Sequence, residues 1–114
     1  MYRFSCHCGE VNIVVYQKPQ SLTRCNCSLC QRYSAVWGYF KPVDVEIDAN
    51  TGSLDTYCWG DKMINFNRCK TCGCVTHYTL TSKTQNDKVG INFNMGDSSL
   101  INEIPIKYFD GASM

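Results

Sequence analysis

The chain has 114 residues, 44% of them hydrophobic and 18% charged, proportions that fit a folded domain and exclude a disordered segment. A net charge of +1 offers no basic stripe for nucleic acid, and no apolar run approaches the roughly 20 residues that cross a bilayer as a helix. Nine cysteines, an odd number at very tight spacings, point to thiolates around metal in a reducing compartment ahead of a disulfide scaffold.

In chain order, residues 1–5 run into the first cysteine pair with no apolar signal region, so a cytoplasmic location is expected. Residues 11–16 alternate apolar and polar side chains with the period of a strand. A β-branched and aromatic run at 35–40 and an alternating run at 43–47 follow, then 54–59, 63–66, 75–80 and 88–93. These make seven or eight short predicted strands. Lys18-Pro19 and the stretches 48–53, 59–61 and 82–87 supply turn chemistry between them. Helix is expected only as single turns at 28–33, after Cys27, and at 98–102, while 110–114 reads as a loose tail. The expectation is one mainly β domain over residues 1–114, its sheets folded over and its cysteine loops at strand ends. Charge is unevenly placed: no carboxylate falls between Glu10 and Asp44, whereas Lys18, Arg24, Arg32 and Lys41 all do.

The cysteines form three groups, Cys6 and Cys8, then Cys25, Cys27 and Cys30, then Cys69, Cys72 and Cys74, with Cys58 alone. Zinc takes four ligands tetrahedrally, so two short cysteine loops make one site. In Cys69-Lys70-Thr71-Cys72-Gly73 the glycine lets the backbone turn tightly under a metal, and Cys6-His7-Cys8-Gly9 has a glycine in the same place. Joining these loops would tie the start of the chain to its second half and supply folding free energy. The run Cys25-Asn26-Cys27-Ser28-Leu29-Cys30 can hold zinc on three sides from one loop. Its fourth position is then left for water, substrate or a distant ligand, which is the mark of a catalytic site. Cys74 can complete that cluster as a fourth sulfur or serve as a small buried hydrophobe, and Cys58 reads as core. A ribbon pairing Cys27 and Cys30 with Cys69 and Cys72 is a rival, though its 38 intervening residues exceed the usual gap of roughly 15 to 20. Iron–sulfur ligation is chemically open too, but the spacings match neither common ferredoxin pattern.

On these residues the sequence resembles the glutathione-dependent formaldehyde-activating enzyme family, which includes centromere protein V-like proteins. The resemblance is carried by Cys6-His7-Cys8-Gly9, by Cys25-Asn26-Cys27-Ser28-Leu29-Cys30-Gln31-Arg32 and by Arg68-Cys69-Lys70-Thr71-Cys72-Gly73. The ending Ile104-Pro105-Ile106-Lys107-Tyr108-Phe109-Asp110-Gly111 adds a fourth piece. It implies an Mss-four-like fold of folded-over β-sheets, a structural zinc on Cys6, Cys8, Cys69 and Cys72, and a second, reactive zinc on Cys25, Cys27 and Cys30. It also implies a carbon–sulfur lyase that joins the thiol of glutathione to formaldehyde, giving S-hydroxymethylglutathione, or reverses that step.

Zinc on three thiolates carries net negative charge and is a weaker Lewis acid than zinc on three neutral histidines. Such a site is suited to holding a substrate thiolate or polarising an aldehyde oxygen. Arg24 and Arg32 flank the cluster and are expected to offset its charge and attract an anionic thiol such as glutathione. Trp37, Tyr33 and Tyr39 are candidate pocket walls, with core packing as the alternative. His7, between two ligands, is expected to point outward, and His77, alternating with Val75 and Thr79, to be a hydrogen-bonded sheet histidine. The competing reading is a non-catalytic, zinc-stabilised β module that carries a thiol or binds a protein, and neither a nucleic-acid nor a membrane partner is expected.

Overall fold

The computed structural model of the protein describes residues 1–84 and 87–113. Part of the turn expected over 82–87 and the last residue of the expected tail therefore lie outside the described residues. Ten strands and two short α-helices are described, a mainly β fold. The strands are β1 (Tyr2–Ser5), β2 (Val11–Val15), β3 (Leu22–Cys25), β4 (Trp37–Phe40) and β5 (Val45–Ala49). They continue with β6 (Leu54–Tyr57), β7 (Ile64–Cys69), β8 (Val75–Leu80), β9 (Val89–Asn92) and β10 (Ile106–Phe109). The helices are α1 (Ser28–Tyr33) and α2 (Ser98–Glu103). No helix among the described residues is long and apolar enough to cross a membrane.

Strands β1, β2 and β5 form a three-stranded antiparallel sheet, and the other seven form a second sheet in the order β10-β3-β4-β9-β8-β7-β6. Val11, Ile13 and Val15 are buried while Asn12 between them is exposed, so β2 turns one apolar face inward. With Phe4 they pack against Leu22, Phe40, Val89 and Ile91 of the larger sheet and against Phe93 beyond β9. The Phe4 and Phe93 ring centroids are 4.7 Å apart. All of β9 is buried because the sheet's opposite face carries a second cluster of Trp37, Phe66 and Tyr78 with Cys30 and Ala35.

Strands β1, β3 and β10 fall outside the expected set. Polar or charged residues interrupt the apolar side chains in all three, and β3 and β10 pair with each other in parallel register from distant parts of the chain. The strand expected at 43–47 begins at Val45 because Pro42 opens a 3-10 turn through Asp44. That expected at 54–59 stops at Tyr57, which leaves Cys58 half-buried in a loop. The tail is not loose as far as it is described. Residues Gly111–Ser113 make a 3-10 turn fastened by the Asn26 side chain, which donates to Asp110 Oδ1 at 3.0 Å and accepts from the Ala112 N–H at 2.9 Å.

Candidate metal centres and active site

The ends of β1 and β7 bring Cys6, Cys8, Cys69 and Cys72 together where the two sheets meet. Their sulfurs lie within 4.8 Å of one another, with Cys6 to Cys8 at 3.7 Å and Cys8 to Cys69 at 3.5 Å. Four sulfurs around one zinc at about 2.3 Å would stand about 3.8 Å apart. The two loops share one build. Gly9 and Gly73 follow the second cysteine of each with φ of +86° and +82°, and their N–H groups return to Cys6 O at 3.2 Å and Cys69 O at 2.9 Å. An L side chain would be strained there.

Charge is shared unevenly in this cluster. Backbone N–H groups of Cys74 and Cys8 hold the Cys72 thiol down at about 5. At Cys8 the Glu10 N–H acts downward, but desolvation and the sulfurs of Cys69, Cys6 and Cys72 push the thiol up to about 12. Four thiolates cannot coexist here without a cation, and a divalent soft metal is the cation such a donor set fits.

Cys74 lies beside this first cluster, not the second. Its thiol faces the His7 N–H and the Cys72 sulfur. The Gly73 turn places it there, because the Cys69 N–H bonds to Cys74 O at 2.9 Å and folds residue 74 back over its own loop. Cys74, open in the sequence between a fourth ligand for Cys25, Cys27 and Cys30 and a small buried hydrophobe, is thus a fifth sulfur next to the other site, packed against the main core.

The second cluster is local. Cys25 ends β3, and Cys27 caps α1 with its Sγ accepting the Cys30 N–H at 3.4 Å, while Cys25 Sγ accepts the Cys27 N–H at 3.4 Å. The three sulfurs lie within 4.8 Å of one another. Burial works to raise the Cys27 thiol, but the Cys30 N–H and neighbouring sulfurs outweigh it and lower it. Burial pushes the Cys30 thiol up to about 12, against the indole N–H of Trp37. Trp37 Nε1 is the one buried side-chain nitrogen or oxygen among the described residues with no partner of full hydrogen-bond geometry. The acceptor it faces is the Cys30 sulfur, and a metal-held thiolate would satisfy this donor better than a neutral thiol. Three convergent sulfurs and one orphaned donor fit zinc.

These sulfurs open on a cavity of about 500 Å³, inside the range of about 300–1,000 Å³ common for ligand sites. Trp37, Phe66 and Tyr78 line it, with Ile64, Tyr39, Phe109, the 59–61 loop and Lys88 around them. Gly90 sits between Tyr39 on β4 and Tyr78 on β8, and a Cβ there would collide with the Tyr78 ring. Its absence lets the two tyrosines meet across β9 with centroids 5.9 Å apart. Burial raises both phenols, so both stay protonated near neutrality. Lys88 Nζ stands 4.3 Å from the Tyr39 ring centroid.

A second cleft of about 430 Å³ shares Cys25, Cys30 and Phe109 with the cavity and is otherwise polar, with Arg24, Asn26, Gln31, Ser34, Tyr108 and Asp110. Arg24, expected to flank the cluster, lines this cleft together with Cys25 and Cys30 and does not line the aromatic cavity. Arg32 lines neither. It is exposed and donates from Nη1 to Ser28 O at 2.8 Å on its own helix. Trp37 does line the cavity, whereas Tyr33 packs on Phe66 at 5.8 Å and lines neither space. His7 is exposed. His77 is buried on β8 with Nδ1 2.7 Å from Thr76 Oγ1, and burial lowers it to about 4. Lys88, Tyr78, Trp59 and Asp61 escaped the sequence reading, since only strand register brings them to one place.

Fold and clusters together define a small mainly β protein with two candidate thiolate metal sites, one closed by four sulfurs and one with three sulfurs facing a cavity. The chain belongs to the glutathione-dependent formaldehyde-activating enzyme family, whose model matches residues 1–106. None of the curated proteins matches it. The fold is similar to that of a crystal structure of a Rhodobacter sphaeroides protein, with a TM-score of 0.74 at 24% identity over 92% of this chain and 99% of that one.

Proposed function

We propose that the protein makes or breaks the carbon–sulfur bond between a glutathione-type thiol and formaldehyde or a related small aldehyde. In this reading zinc is held for reaction by Cys25, Cys27 and Cys30 and for structure by Cys6, Cys8, Cys69 and Cys72. One observation carries the reading. Three sulfurs converge within 4.8 Å at the wall of a cavity of about 500 Å³, and among the described residues no fourth metal-binding side chain joins them. Family membership supports the reaction class.

When bound, zinc on three ligands supplies a free position for activating a thiolate or polarising a carbonyl oxygen. The remaining work falls to the chain. Addition forms a bond from the thiol sulfur to the carbonyl carbon and transfers the thiol proton to the carbonyl oxygen. The Tyr78 hydroxyl is turned to that of Tyr39, and Tyr39, kept protonated by burial, presents its own O–H to negative charge developing on that oxygen. The Trp37 N–H supports the Cys30 thiolate, and the aromatic walls limit water around the reacting groups.

The purified protein should hold two zinc ions per chain, one for each cluster. In exchange NMR it should speed interconversion of glutathione plus formaldehyde with S-hydroxymethylglutathione beyond the spontaneous rate. Cys27→Ala should lose one zinc and the acceleration. Acceleration retained in that variant would count against the assignment.

A further inference from the structure

The cysteine cluster stands between two unlike spaces, which meet at Cys25, Cys30 and Phe109. We infer that they receive the two halves of the reaction: the polar cleft takes the amino-acid head of the thiol, and the aromatic cavity takes a carbonyl compound with an apolar group larger than formaldehyde. This inference rests on the proposed carbon–sulfur chemistry and names where each reactant lies.

The polar cleft carries one cation and one carboxylate, Arg24 and Asp110. They do not pair with each other, since the one ion pair among the described residues is Arg68 with Asp55. The Arg24 guanidinium has no hydrogen-bond partner among the described residues. It is half-buried on β3, so its fork is left for a ligand carboxylate. Asp110 accepts from Asn26 Nδ2 at 3.0 Å on one oxygen and from Ser113 Oγ at 2.7 Å on the other, which fixes its carboxylate in place. Ionised carboxylates offer about four lone-pair sites, so capacity remains for a ligand ammonium. A carboxylate on Arg24 and an ammonium towards Asp110 match an α-amino acid zwitterion, the head group that glutathione and cysteine share.

The aromatic cavity suits a different ligand. Its volume of about 500 Å³ is far more than a one-carbon aldehyde fills, and Trp37, Trp59, Phe66 and Phe109 give it apolar walls. Apart from the three cysteines, the charged lining groups among the described residues are Lys88, whose ammonium lies on the Tyr39 ring, and Asp61, which accepts the Met63 N–H at 3.2 Å. Formaldehyde alone would leave these walls unused, whereas an aryl or branched alkyl aldehyde covers them. The thiol sulfur approaching from the cleft and the carbonyl carbon approaching from the cavity converge at the shared sulfurs. The addition balances as before, with the thiol proton passing to the carbonyl oxygen.

Zinc-loaded, 15N-labelled protein titrated separately with glutathione and with benzyl alcohol, an unreactive stand-in for an aryl aldehyde, tests this by binding alone. Glutathione should shift the amides of Arg24, Asn26, Gln31 and residues 108–110. Benzyl alcohol should shift Gly60, Ile64, Tyr78 and both indole N–H signals. Arg24→Gln should weaken glutathione at least tenfold without altering benzyl alcohol, and Trp59→Ala should do the reverse. Mercaptoethanol, a thiol without the head group, should bind at least tenfold more weakly than glutathione and be indifferent to Arg24→Gln. Competition between glutathione and benzyl alcohol for one space, unchanged glutathione affinity in Arg24→Gln, or no binding of either probe would overturn the assignment. Because these readouts are binding shifts, a protein that fails to accelerate the formaldehyde reaction refutes the proposed activity without deciding where the ligands lie.

Discussion

Cys6, Cys8, Cys69 and Cys72 on one side and Cys25, Cys27 and Cys30 on the other use the same short loops and the same backbone N–H to sulfur bonds. They hold very different lengths of chain. Cys8 and Cys69 are 61 positions apart, whereas the second cluster lies entirely within residues 25–30. A link between distant segments removes more freedom from the unfolded chain, and here it joins β1 of the small sheet to β7 of the large one. Metal at the first cluster is therefore coupled to the packing of the sheets. The second cluster fixes one strand end and one helical turn, and its open side faces cavities. Distance along the chain separates a site that helps make the fold from a site that the fold has to position.

The largest expected effect follows from breaking the first cluster. Structural zinc contributes about 10–16 kcal/mol of apparent binding free energy in small domains, while whole domains are stable by only about 5–15 kcal/mol. Cys69→Ala, at a position 1% exposed, should abolish cooperative thermal unfolding followed by circular dichroism. The contrasting variant is Cys27→Ala. It should lower the catalysed rate by at least about 100-fold yet leave Tm within about 5 °C of the parent. If both variants unfolded alike, the two clusters would be equally structural and the contrast would be lost.

The sequence displayed the cysteine loops plainly, because Cys-x-Cys-Gly and Cys-x-x-Cys-Gly carry their turn chemistry within five residues. Gly9 and Gly73 do adopt the positive φ that this chemistry requires. Long-range placement was another matter. Nothing local tells that β10 lies parallel to β3, yet that pairing brings Phe109 beside Cys25 and carries the tail over the cluster. Cys74 was ambiguous for the same reason, since its neighbours are set by how the Gly73 turn folds back. Arg32 shows a third limit. Nearness in sequence to Cys30 suggested an electrostatic role, but one helical turn directs its guanidinium to Ser28 O.

Acid offers a test that sharpens the contrast without changing a ligand. His77 has an ordinary value of 6.5 and is lowered by burial to about 4, so between these pH values the unfolded chain binds a proton that the folded chain refuses. Stability must then fall as pH drops from about 6.5 to about 4, by up to about 3 kcal/mol, and this contribution is flat outside that window. Denaturant titrations across the window should show a smaller loss in His77→Gln than in the parent. A loss common to both proteins has other sources, protonation of cysteine ligands with release of metal and protonation of Asp97 and Asp110, whose carboxyls are held down by the hydrogen bonds they accept. An identical slope in the two would mean that His77 titrates normally.

The smallest expected effect concerns how self-contained the second cluster is. Asn26 sits between Cys25 and Cys27 and holds the tail through Asp110 and Ala112. Beneath it the Gly111 backbone lies so close that an added Cβ would stand 2.5 Å from Cys25 Sγ. These hydrogen bonds are exposed, so Asn26→Ala should cost only about 1 kcal/mol of global stability. Freed from its clasp, the tail would no longer brace the Cys25 sulfur, and zinc affinity at the second cluster should fall about tenfold, as when groups that orient metal ligands are removed. Competition with a coloured chelator would measure that loss while the first zinc stays bound. Unchanged affinity would mean that residues 25–30 build their site alone, and the tail would then be a cover and not a brace.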